Sequence, residues 1–492
     1  MKTLYKLFLS FFVLVTFYSC TKEDEIPIDV EINDFIWKSL NAYYLNQDLI
    51  PNLSDRRFNS QPELNNFLRQ FSTPEDLFTS LTSQGSSSDS KSVLISDNNL
   101  IIEPEIRTSI THGMEYGIIA EPGSTENVLG YVHYILPNSD ASNQPIKRGE
   151  FFYAVDDTQL TRDNFRTLLE GSDSYELYMA SFNGVDVVAD SILVSTVKTP
   201  RTIPLAKSGF THSPIFLSKN IVSGSNNIGY LLYNNDFSSN YINSLNTTFL
   251  QFKTQGVNQL ILDLRYNIGG GGFVENINKI SSMITGQFTG QPFLKERWNT
   301  KAQPWFEKHQ PDSLITNFTD KINATTSINS LELTDVYILM NGSSSSIELL
   351  INSLNSYINV HIINSVDTNG NNTGSITLYN SIDYNFFGRN LNHTYALQPI
   401  VLEFLNNDNA TFNDGFTPDM RICTQEDILN LGELGETSDP LLNEVLSLVN
   451  NIPPSPPVIC NPNNFEFLFS SFNRQRLVDI GMFIKRDLPN TN

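Results

Sequence analysis

Two segments of the chain carry the residue types needed for acyl transfer. One is the glycine run at residues 269–272, which follows Asp263 and Arg265; the other is the serine run at residues 343–346, which is followed by Glu348. Glycines let backbone amides approach a ligand closely, and such amides stabilise an oxyanion. A serine at the start of a helix is favoured as a nucleophile by the helix dipole and the unpaired amides there. The alternative is a tight turn and an ordinary serine helix cap.

Buried strands are predicted immediately before both segments, and helices after them. Residues 260–264 and 336–340 are almost continuously apolar, which is typical of strands covered on both faces. Helices are predicted over residues 273–284 and 347–358, and a further strand over 360–363. Two strand–helix–strand units imply an α/β core with parallel strands. Loops at the carboxyl ends of such strands are where sites form in open α/β sheets.

The remainder of the chain divides into three further regions. A tether and a small helical domain are predicted over residues 21–104, with a helix starting at the Thr-Pro-Glu-Asp segment at residues 73–76. Short strands separated by turns predict a second domain at residues 105–200. The α/β core is assigned residues 201–455, and a C-terminal tail follows at residues 456–492. This organisation fits the two to four domains expected for a chain of this length.

The N-terminus has the pattern of a secretory signal, which we assign to residues 1–20. Lys2 and Lys6 precede an apolar run that is too short to span a bilayer. Ser19 and Cys20 end this run and resemble a bacterial lipobox, which implies that Cys20 is acylated. We therefore expect an outer-membrane lipoprotein of the bacterial cell envelope, held by its lipid anchor on the periplasmic or the outer face. The alternative is a plain secretory signal with an incidental cysteine.

The composition argues against several classes of function. The formal net charge is -22 and the pI is about 4.6, so the surface repels phosphate backbones and nucleic-acid binding is not expected. No cluster of histidine and cysteine has zinc spacing, and we expect neither a metal nor a cofactor. Cys423 and Cys460 either pair in an oxidising compartment or stay free thiols, and the sequence leaves both alternatives open.

The two segments together resemble the motifs of a known peptidase family. Residues 263–272 are similar to the Asp-Leu-Arg-x-Asn-x-Gly-Gly signature of the S41 (C-terminal processing, or tail-specific) serine peptidases, and the serine run resembles their Thr-Ala-Ser-Ala-Ser-Glu motif. With Glu348 aligned to the acid of that motif, the resemblance implies Ser345 as the nucleophile or, with a shift in register, a neighbouring serine. It also implies the amides of Gly270 and Ser346 as the oxyanion hole. The implied fold is an α/β S41 peptidase core in a multidomain α+β chain, and the implied activity is cleavage of polypeptides, reached by their C-termini.

The general base of this family is a lysine in a Thr-x-Gly-Lys motif about two dozen residues after the serine. The matching stretch here is Thr-Asn-Gly-Asn at residues 368–371, and Asn371 stands where the lysine is expected. An amide oxygen is too weakly basic to take a serine proton at neutral pH, as a desolvated lysine does. No lysine occurs between Lys321 and Lys485. Hydrolysis by the usual serine–lysine pair is therefore not expected.

Other candidate bases leave two functions open. His361 is on the predicted strand before the altered loop and His393 is on a later segment, but lone histidines at such positions are more often structural. Lys485 is distant in sequence but not excluded in space. The chain is therefore a serine-type peptidase with another base, or a pseudoprotease that binds peptides or partner proteins without cutting them. A glycan-binding surface lipoprotein is a third alternative, but no aromatic platform for a sugar is evident.

Residues 105–200 resemble a PDZ domain. The resemblance rests on an apolar stretch around Gly117, a Lys-Arg-Gly-Glu segment at residues 147–150 and the strand that follows it. PDZ domains bind extended C-termini by strand addition. The resemblance therefore implies Tyr116, Gly117 and Ile118 as substrate-binding residues in a glycine-containing loop. The alternative is a PDZ-shaped spacer with a blocked groove.

Overall fold

The computed structural model describes most of the chain. The described residues are 26–82, 89, 91–100, 108–211, 213–234, 237, 239–267, 274–370, 372–422, 427–452, 465–471, 482–484, 486 and 488. Cys20, Gly270, Asn371, Cys423 and Cys460 lie outside these ranges, so the predictions made for them remain predictions. Within these ranges, no helix combines the length and apolar character needed to cross a bilayer.

Helices occur in every region of the described chain. The α-helices are α1 (Glu31–Tyr43), α2 (Gln61–Leu68), α3 (Pro74–Thr82), α4 (Phe165–Glu170), α5 (Ile242–Thr254), α6 (Val274–Ile284), α7 (Ala302–His309), α8 (Ser345–Asn355) and α9 (Pro440–Val449).

The strands belong to several sheets. They are β1 (Val93–Ile95), β2 (Thr108–Thr111), β3 (Met114–Ala120), β4 (Val128–Ile135), β5 (Phe151–Val155), β6 (Thr158–Gln159), β7 (Ser174–Phe182), β8 (Val187–Ala189), β9 (Ser191–Val194), β10 (Val197–Pro200), β11 (Thr202–Ala206), β12 (Ser208–Thr211), β13 (Ile215–Ser223), β14 (Asn226–Tyr233), β15 (Gln259–Asp263), β16 (Pro292–Trp298), β17 (Ile315–Asn317), β18 (Asp335–Leu339), β19 (Asn359–Asn364), β20 (Thr373–Ser375), β21 (Leu378–Tyr379), β22 (Ala396–Gln398), β23 (Ile400–Leu405), β24 (Met420–Arg421), β25 (Phe467–Ser470) and β26 (Met482–Phe483).

Each N-terminal helix has a buried apolar face, and α2 and α3 also begin with a side-chain cap. At the start of α3, the Thr73 hydroxyl oxygen accepts the backbone N–H of Asp76 at 3.1 Å, so the predicted helix start is confirmed. Ser60 caps α2 in the same way, through the N–H of Glu63 at 3.4 Å. Helix α1 packs against both, and its Leu40 is fully buried.

The central sheet has the strand order β13-β14-β15-β18-β19-β24. Strand β13 pairs antiparallel at one edge, and all the other pairings in this sheet are parallel. Strands β15 and β18 are buried along almost their whole length, as the continuous apolar runs require. The predicted α/β core with parallel strands is confirmed.

Helices cover both faces of the central sheet and leave its carboxyl edge for loops. Helices α6 and α8 share one core with Leu262 and Ile338, whereas α9 packs on the opposite face with Ile261 and Leu339. Because successive strand residues point to opposite faces, both helical layers are supplied by the same two strands. Beyond the end of β15, the N–H of Leu264 donates to the carbonyl of Leu339 at 2.7 Å. The segments that follow β15 and β18 therefore start side by side.

Two further sheets use strands from the predicted C-terminal tail. The antiparallel sheet β11-β7-β5-β4-β3-β25 contains most of residues 108–206 and ends on β25. The sheet β17-β16-β23-β20-β26 lies beside the core and ends on β26. The tail assigned to residues 456–492 thus supplies an edge strand to each of two sheets that are built mainly from earlier parts of the chain.

Candidate active site

Ser345 begins the helix that follows the central strand β18. It is 5% exposed, and the next residue, Ser346, is fully buried. Ser344 precedes the helix in an extended conformation. Gly342 has φ +101°, a conformation that favours glycine and that lets the chain turn sharply between strand and helix. The structure therefore places the serine run at a helix start above the carboxyl edge of the sheet.

Asn364, at the end of β19, fixes the position of the turn that precedes the serines. Its side-chain oxygen accepts the N–H of Gly342 at 2.8 Å, and its amide donates to the Gly342 carbonyl at 2.7 Å. The side chain is fully buried, so both bonds are shielded from water. The sequence reasoning missed this residue; a polar side chain ending an otherwise apolar strand was the available signal.

Glu348 ties the helix start to the loop that carries the Asn371 position. This side chain is fully buried in the first turn of α8, where a carboxylate is favoured by the helix dipole. It accepts a short hydrogen bond from the Ser343 hydroxyl and the N–H of Gly370 at 2.8 Å. The Ser343 oxygen in turn accepts the N–H of Asn369 at 2.9 Å. The buried charge is therefore met by donors from both segments.

The same loop is held on its other side by the turn at residues 412–416. A side chain at Gly370, where φ is +74°, would place Cβ 2.1 Å from the carbonyl oxygen of Asn413. A Cβ at Gly415 would lie 1.9 Å from the carbonyl oxygen of Thr368. Thr368 and Phe416 also exchange hydrogen bonds at 2.8 and 3.0 Å. These close contacts fix the register of residues 368–370.

The residues on both sides of position 371 are anchored. Gly370 is held by Glu348, and the carbonyl of Asn372 accepts the N–H of Phe404 at 2.8 Å. Both Gly370 and Asn372 are buried. Position 371 is thus flanked by residues tied to α8 on one side and to β23 on the other.

Asp263 and Arg265 of the glycine-loop signature form a buried ion network with Asp439. The guanidinium Nη2 of Arg265 lies 2.7 Å from a carboxylate oxygen of each aspartate. Tyr230 donates to Asp263 at 2.7 Å, and Asp439 caps α9 through the N–H of Leu441 at 3.0 Å. The two signature residues therefore anchor the start of the loop to the sheet and to α9.

The buried charges shift the proton affinities of this network. Burial would lower the pKa of Arg265, but Asp263 and Asp439 raise it well above its usual range. Burial, followed by the charge of Asp263, raises the pKa of Tyr230 well above its usual range. Both groups therefore stay protonated across physiological pH, which keeps the network intact as a structural unit.

Tyr266, the next signature residue, contacts the strand-rich domain. Its hydroxyl accepts a hydrogen bond from Arg148 Nη1 at 2.6 Å, and its ring lies 4.8 Å from that of Tyr134, centroid to centroid. Arg148 belongs to the Lys-Arg-Gly-Glu segment that supports the PDZ resemblance. The glycine-loop signature thus joins the core to the second domain.

The two candidate histidines are engaged away from the serine run. His361 bonds Asp335 at 3.3 Å and stacks on Tyr337, and Asp335 is the first residue of β18, at the opposite edge of the sheet from Ser345. His393 contacts the side chain of Asn380 at 2.9 Å, and desolvation lowers its pKa. Lys485 lies outside the described residues.

Tyr116, Gly117 and Ile118 lie inside β3 and not in a loop. Strand β3 is paired with β4 on one edge and with β25 on the other, and all three residues are buried. A Cβ at Gly117 would lie 2.3 Å from the ring of Tyr131. This glycine is therefore explained by the close approach of an aromatic ring on β4 and does not require a turn.

No metal centre is evident in the part of the chain that the structure describes. There, no group of three or more His, Cys, Asp or Glu side chains is arranged to hold a metal ion. The chemistry that the described site can support is that of a serine hydroxyl at a helix start, beside a buried carboxylate and an anchored loop.

Comparisons with known proteins agree with this architecture. The family model described as the peptidase S41 N-terminal domain matches residues 31–89, and the model described as peptidase family S41 matches residues 227–422. No curated protein is similar enough to count as a match.

Solved structures match over most of the chain. A protein described as an S41 protease, from Bacteroides fragilis NCTC 9343, matches with a TM-score of 0.60 and 20% identity over 88% of this chain and 100% of that one. A photosystem II D1 C-terminal processing protease matches with a TM-score of 0.42 and 15% identity, over 85% and 100% of the two chains. The first of these matches supports the predicted fold class, a mixed helix and sheet structure with an S41 peptidase core. The chain therefore belongs to the S41 peptidase family, with that family's N-terminal domain at residues 31–89 and its peptidase domain at residues 227–422.

Proposed function

We propose that this protein is a pseudoprotease of the bacterial cell envelope, which binds polypeptides but does not cut them with a serine–lysine pair. Membership of a peptidase family supports polypeptides as the ligands. The observation that supports the loss of hydrolysis is the sequence of the loop, in which Asn371 follows Gly370 where the family motif has its lysine, and Gly370 itself is bonded to Glu348. An asparagine there does not deprotonate Ser345.

A serine peptidase with a different base is the second candidate, and one contact favours it. The hydroxyl of Ser343 donates to the Glu348 carboxylate, so Ser343 has a proton acceptor within hydrogen-bond reach. In this candidate, the Ser343 oxygen would attack the scissile carbonyl carbon while its proton passes to Glu348. The C–N bond would then break, Glu348 would return the proton to the leaving amine, and an acyl-enzyme would remain. Ser345 would then be a helix residue without a catalytic role.

Labelling with a fluorophosphonate probe distinguishes the two candidates. We expect wild type to be labelled no faster than the Ser345→Ala variant, because an asparagine at position 371 cannot take the proton of the Ser345 hydroxyl. The measurement is in-gel fluorescence over time, with Ser343→Ala as the matched variant. Labelling lost only in Ser345→Ala would establish an activated nucleophile and overturn the pseudoprotease. Labelling lost only in Ser343→Ala would instead support the second candidate.

The strand-rich domain is the proposed place for recognition of polypeptide C-termini. It resembles a PDZ domain in sequence, and an exposed sheet edge with a helix beside it is how such domains add a ligand strand. In this chain, the corresponding elements are the β3 edge and α4. The proposal places ligand binding in this domain and assigns the serine helix no cutting role.

We expect Cys20 to anchor the protein to the membrane through lipid. Growth of cells with an alkyne fatty acid, followed by coupling to a fluorophore, should label wild type and leave Cys20→Ser unlabelled. The resemblance to a lipobox supports this prediction, because the thiol of the lipobox cysteine is the group that is acylated, and serine lacks it. Equal labelling of the two proteins, or labelling of neither, would contradict the anchor and leave the plain secretory signal.

A further inference from the structure

The outer edge of β3 is covered by a segment from the far end of the same chain. Strand β25 pairs antiparallel with β3, with Phe467 opposite Ile119 and Ser470 opposite Gly117. The N–H of Ala120 donates to the carbonyl of Glu466 at 2.9 Å, which extends the pairing by one residue. Residues 465–471 therefore occupy the position that an added ligand strand would take.

Side chains near the start of this segment make a charged contact and an aromatic contact. Both carboxylate oxygens of Glu466 accept from the guanidinium of Arg162, at 2.9 and 2.5 Å. This bidentate geometry matches the fork of an arginine to a carboxylate. Phe465 is buried with its ring 5.4 Å from that of Phe182. The domain thus offers a cation for an acidic residue of the bound strand.

Phe469 is held by three side chains of the domain. Its ring centroid lies 6.0 Å from that of Tyr116 and 5.7 Å from that of Phe165, the first residue of α4. The guanidinium carbon of Arg166 lies 4.5 Å from the centre of the Phe469 ring. A strand edge, a helix and a cation thus enclose one aromatic position.

The end of the segment is recognised through a hydroxyl. Ser471 is buried; it donates a short hydrogen bond to the Glu115 carboxylate and accepts the backbone N–H of Tyr116 at 2.8 Å. The Ser471 hydroxyl thus donates one hydrogen bond and accepts another, and both partners, Glu115 and Tyr116, belong to β3. A serine or threonine at this position satisfies two buried polar groups that would otherwise lack this partner.

The fit of the segment is specific but not perfect. The pairing with β3 is irregular between Phe467 and Phe469, and the Ser470 hydroxyl is buried without a hydrogen-bond partner in the described structure. The side chains of Arg162 and Glu466 are 36% and 60% exposed, so water screens this ion pair and it contributes little to holding the segment. A short strand held in this way is a displaceable occupant.

We infer that the β3 edge with α4 is a strand-addition groove whose ligands have an acidic residue, an aromatic residue three positions later and a hydroxyl two positions after that. Residues 465–471 are the tethered ligand of this groove, and a partner polypeptide with the same pattern replaces them. This inference refines the polypeptide binding proposed above. It does not depend on whether Ser345 reacts.

Peptide binding to the full mature chain tests the groove. The probe is a fluorescein-labelled peptide with the sequence of residues 465–471, and the readout is fluorescence anisotropy. We expect the variant Phe469→Ala to bind the peptide at least tenfold more tightly than wild type does, because a tethered ligand competes at an effective concentration of about a millimolar. A peptide with alanine at the position of Phe469 should not bind. The groove proposal would be wrong if wild type and Phe469→Ala bound the peptide with equal affinity. It would also be wrong if Phe469→Ala kept its melting temperature and did not bind the peptide.

A charge reversal tests the acidic position. In the Phe469→Ala background, Arg162→Glu should weaken peptide binding about fivefold, the upper end for an exposed ion pair. A peptide with lysine in place of its glutamate should restore most of that loss. The same loss with both peptides would overturn the assignment of Arg162. Labelling of Ser345 by the fluorophosphonate would refute only the proposal that the protein is a pseudoprotease. The anisotropy measurement tests only the proposal that the β3 edge is a ligand groove.

Discussion

Replacing Arg265 with methionine should lower the free energy of unfolding by about 3–5 kcal/mol at neutral pH, because it leaves a buried ion network without its cation. Asp263 and Asp439 have side-chain exposures of 0% and 1%, so water cannot replace the guanidinium. Methionine keeps much of the arginine's apolar volume, so the loss reports the charge and not a cavity. The measurement is urea denaturation followed by circular dichroism.

An exposed ion pair provides the matched control for this prediction. Arg421 lies 2.7 Å from Asp367, and both side chains are more than half exposed. Arg421→Met should therefore cost less than about 1 kcal/mol. Adding Asp263→Asn and Asp439→Asn to the Arg265 variant should recover part of its stability, because the uncompensated charges are then removed. Equal losses in the two single arginine variants would refute the assigned role of the network.

The strands of the core could be predicted because the apolar runs that indicate them are local features of the sequence. The apolar runs at residues 260–264 and 336–340 match β15 and β18 to within one residue at each end. A strand that is buried on both faces excludes polar residues along its length, so the sequence shows its limits directly. The helix predicted over residues 347–358 starts earlier, at Ser345, because its first turn consists of serines that carry no apolar period.

The supports of the site were not predictable, because each joins distant parts of the chain. The amide of Asn364 and the carboxylate of Glu348 bind backbone groups of other loops, and no local pattern encodes such a partner. Gly117 was predicted to lie in a loop because the resemblance to a PDZ domain implies a glycine-containing binding loop at this position. The structure explains it through a ring on the neighbouring strand. Likewise, nothing in residues 465–471 indicated that they would pair with β3.

Placing a lysine at position 371 should make Ser345 more reactive, and this is the largest functional effect we expect. In Asn371→Lys, the rate of fluorophosphonate labelling at Ser345 should rise at least a hundredfold, since a positioned general base contributes about 10²–10⁴ to such reactions. The flanking residues Gly370 and Asn372 are buried and anchored, so the loop is already held in place for the new side chain. Cleavage of an unfolded protein such as casein is the second readout.

Two further variants decide whether the gain comes from proton transfer. Asn371→Met has a side chain of similar reach without a basic group, so it should label as slowly as wild type. Ser345→Ala combined with Asn371→Lys should lose the gain completely. The labelling rate of the lysine variant should also increase with pH as the amine loses its proton, because only the neutral amine accepts the serine proton. If the lysine and methionine variants label equally slowly, the residue at position 371 is not what limits the reactivity of Ser345, and the prediction is wrong.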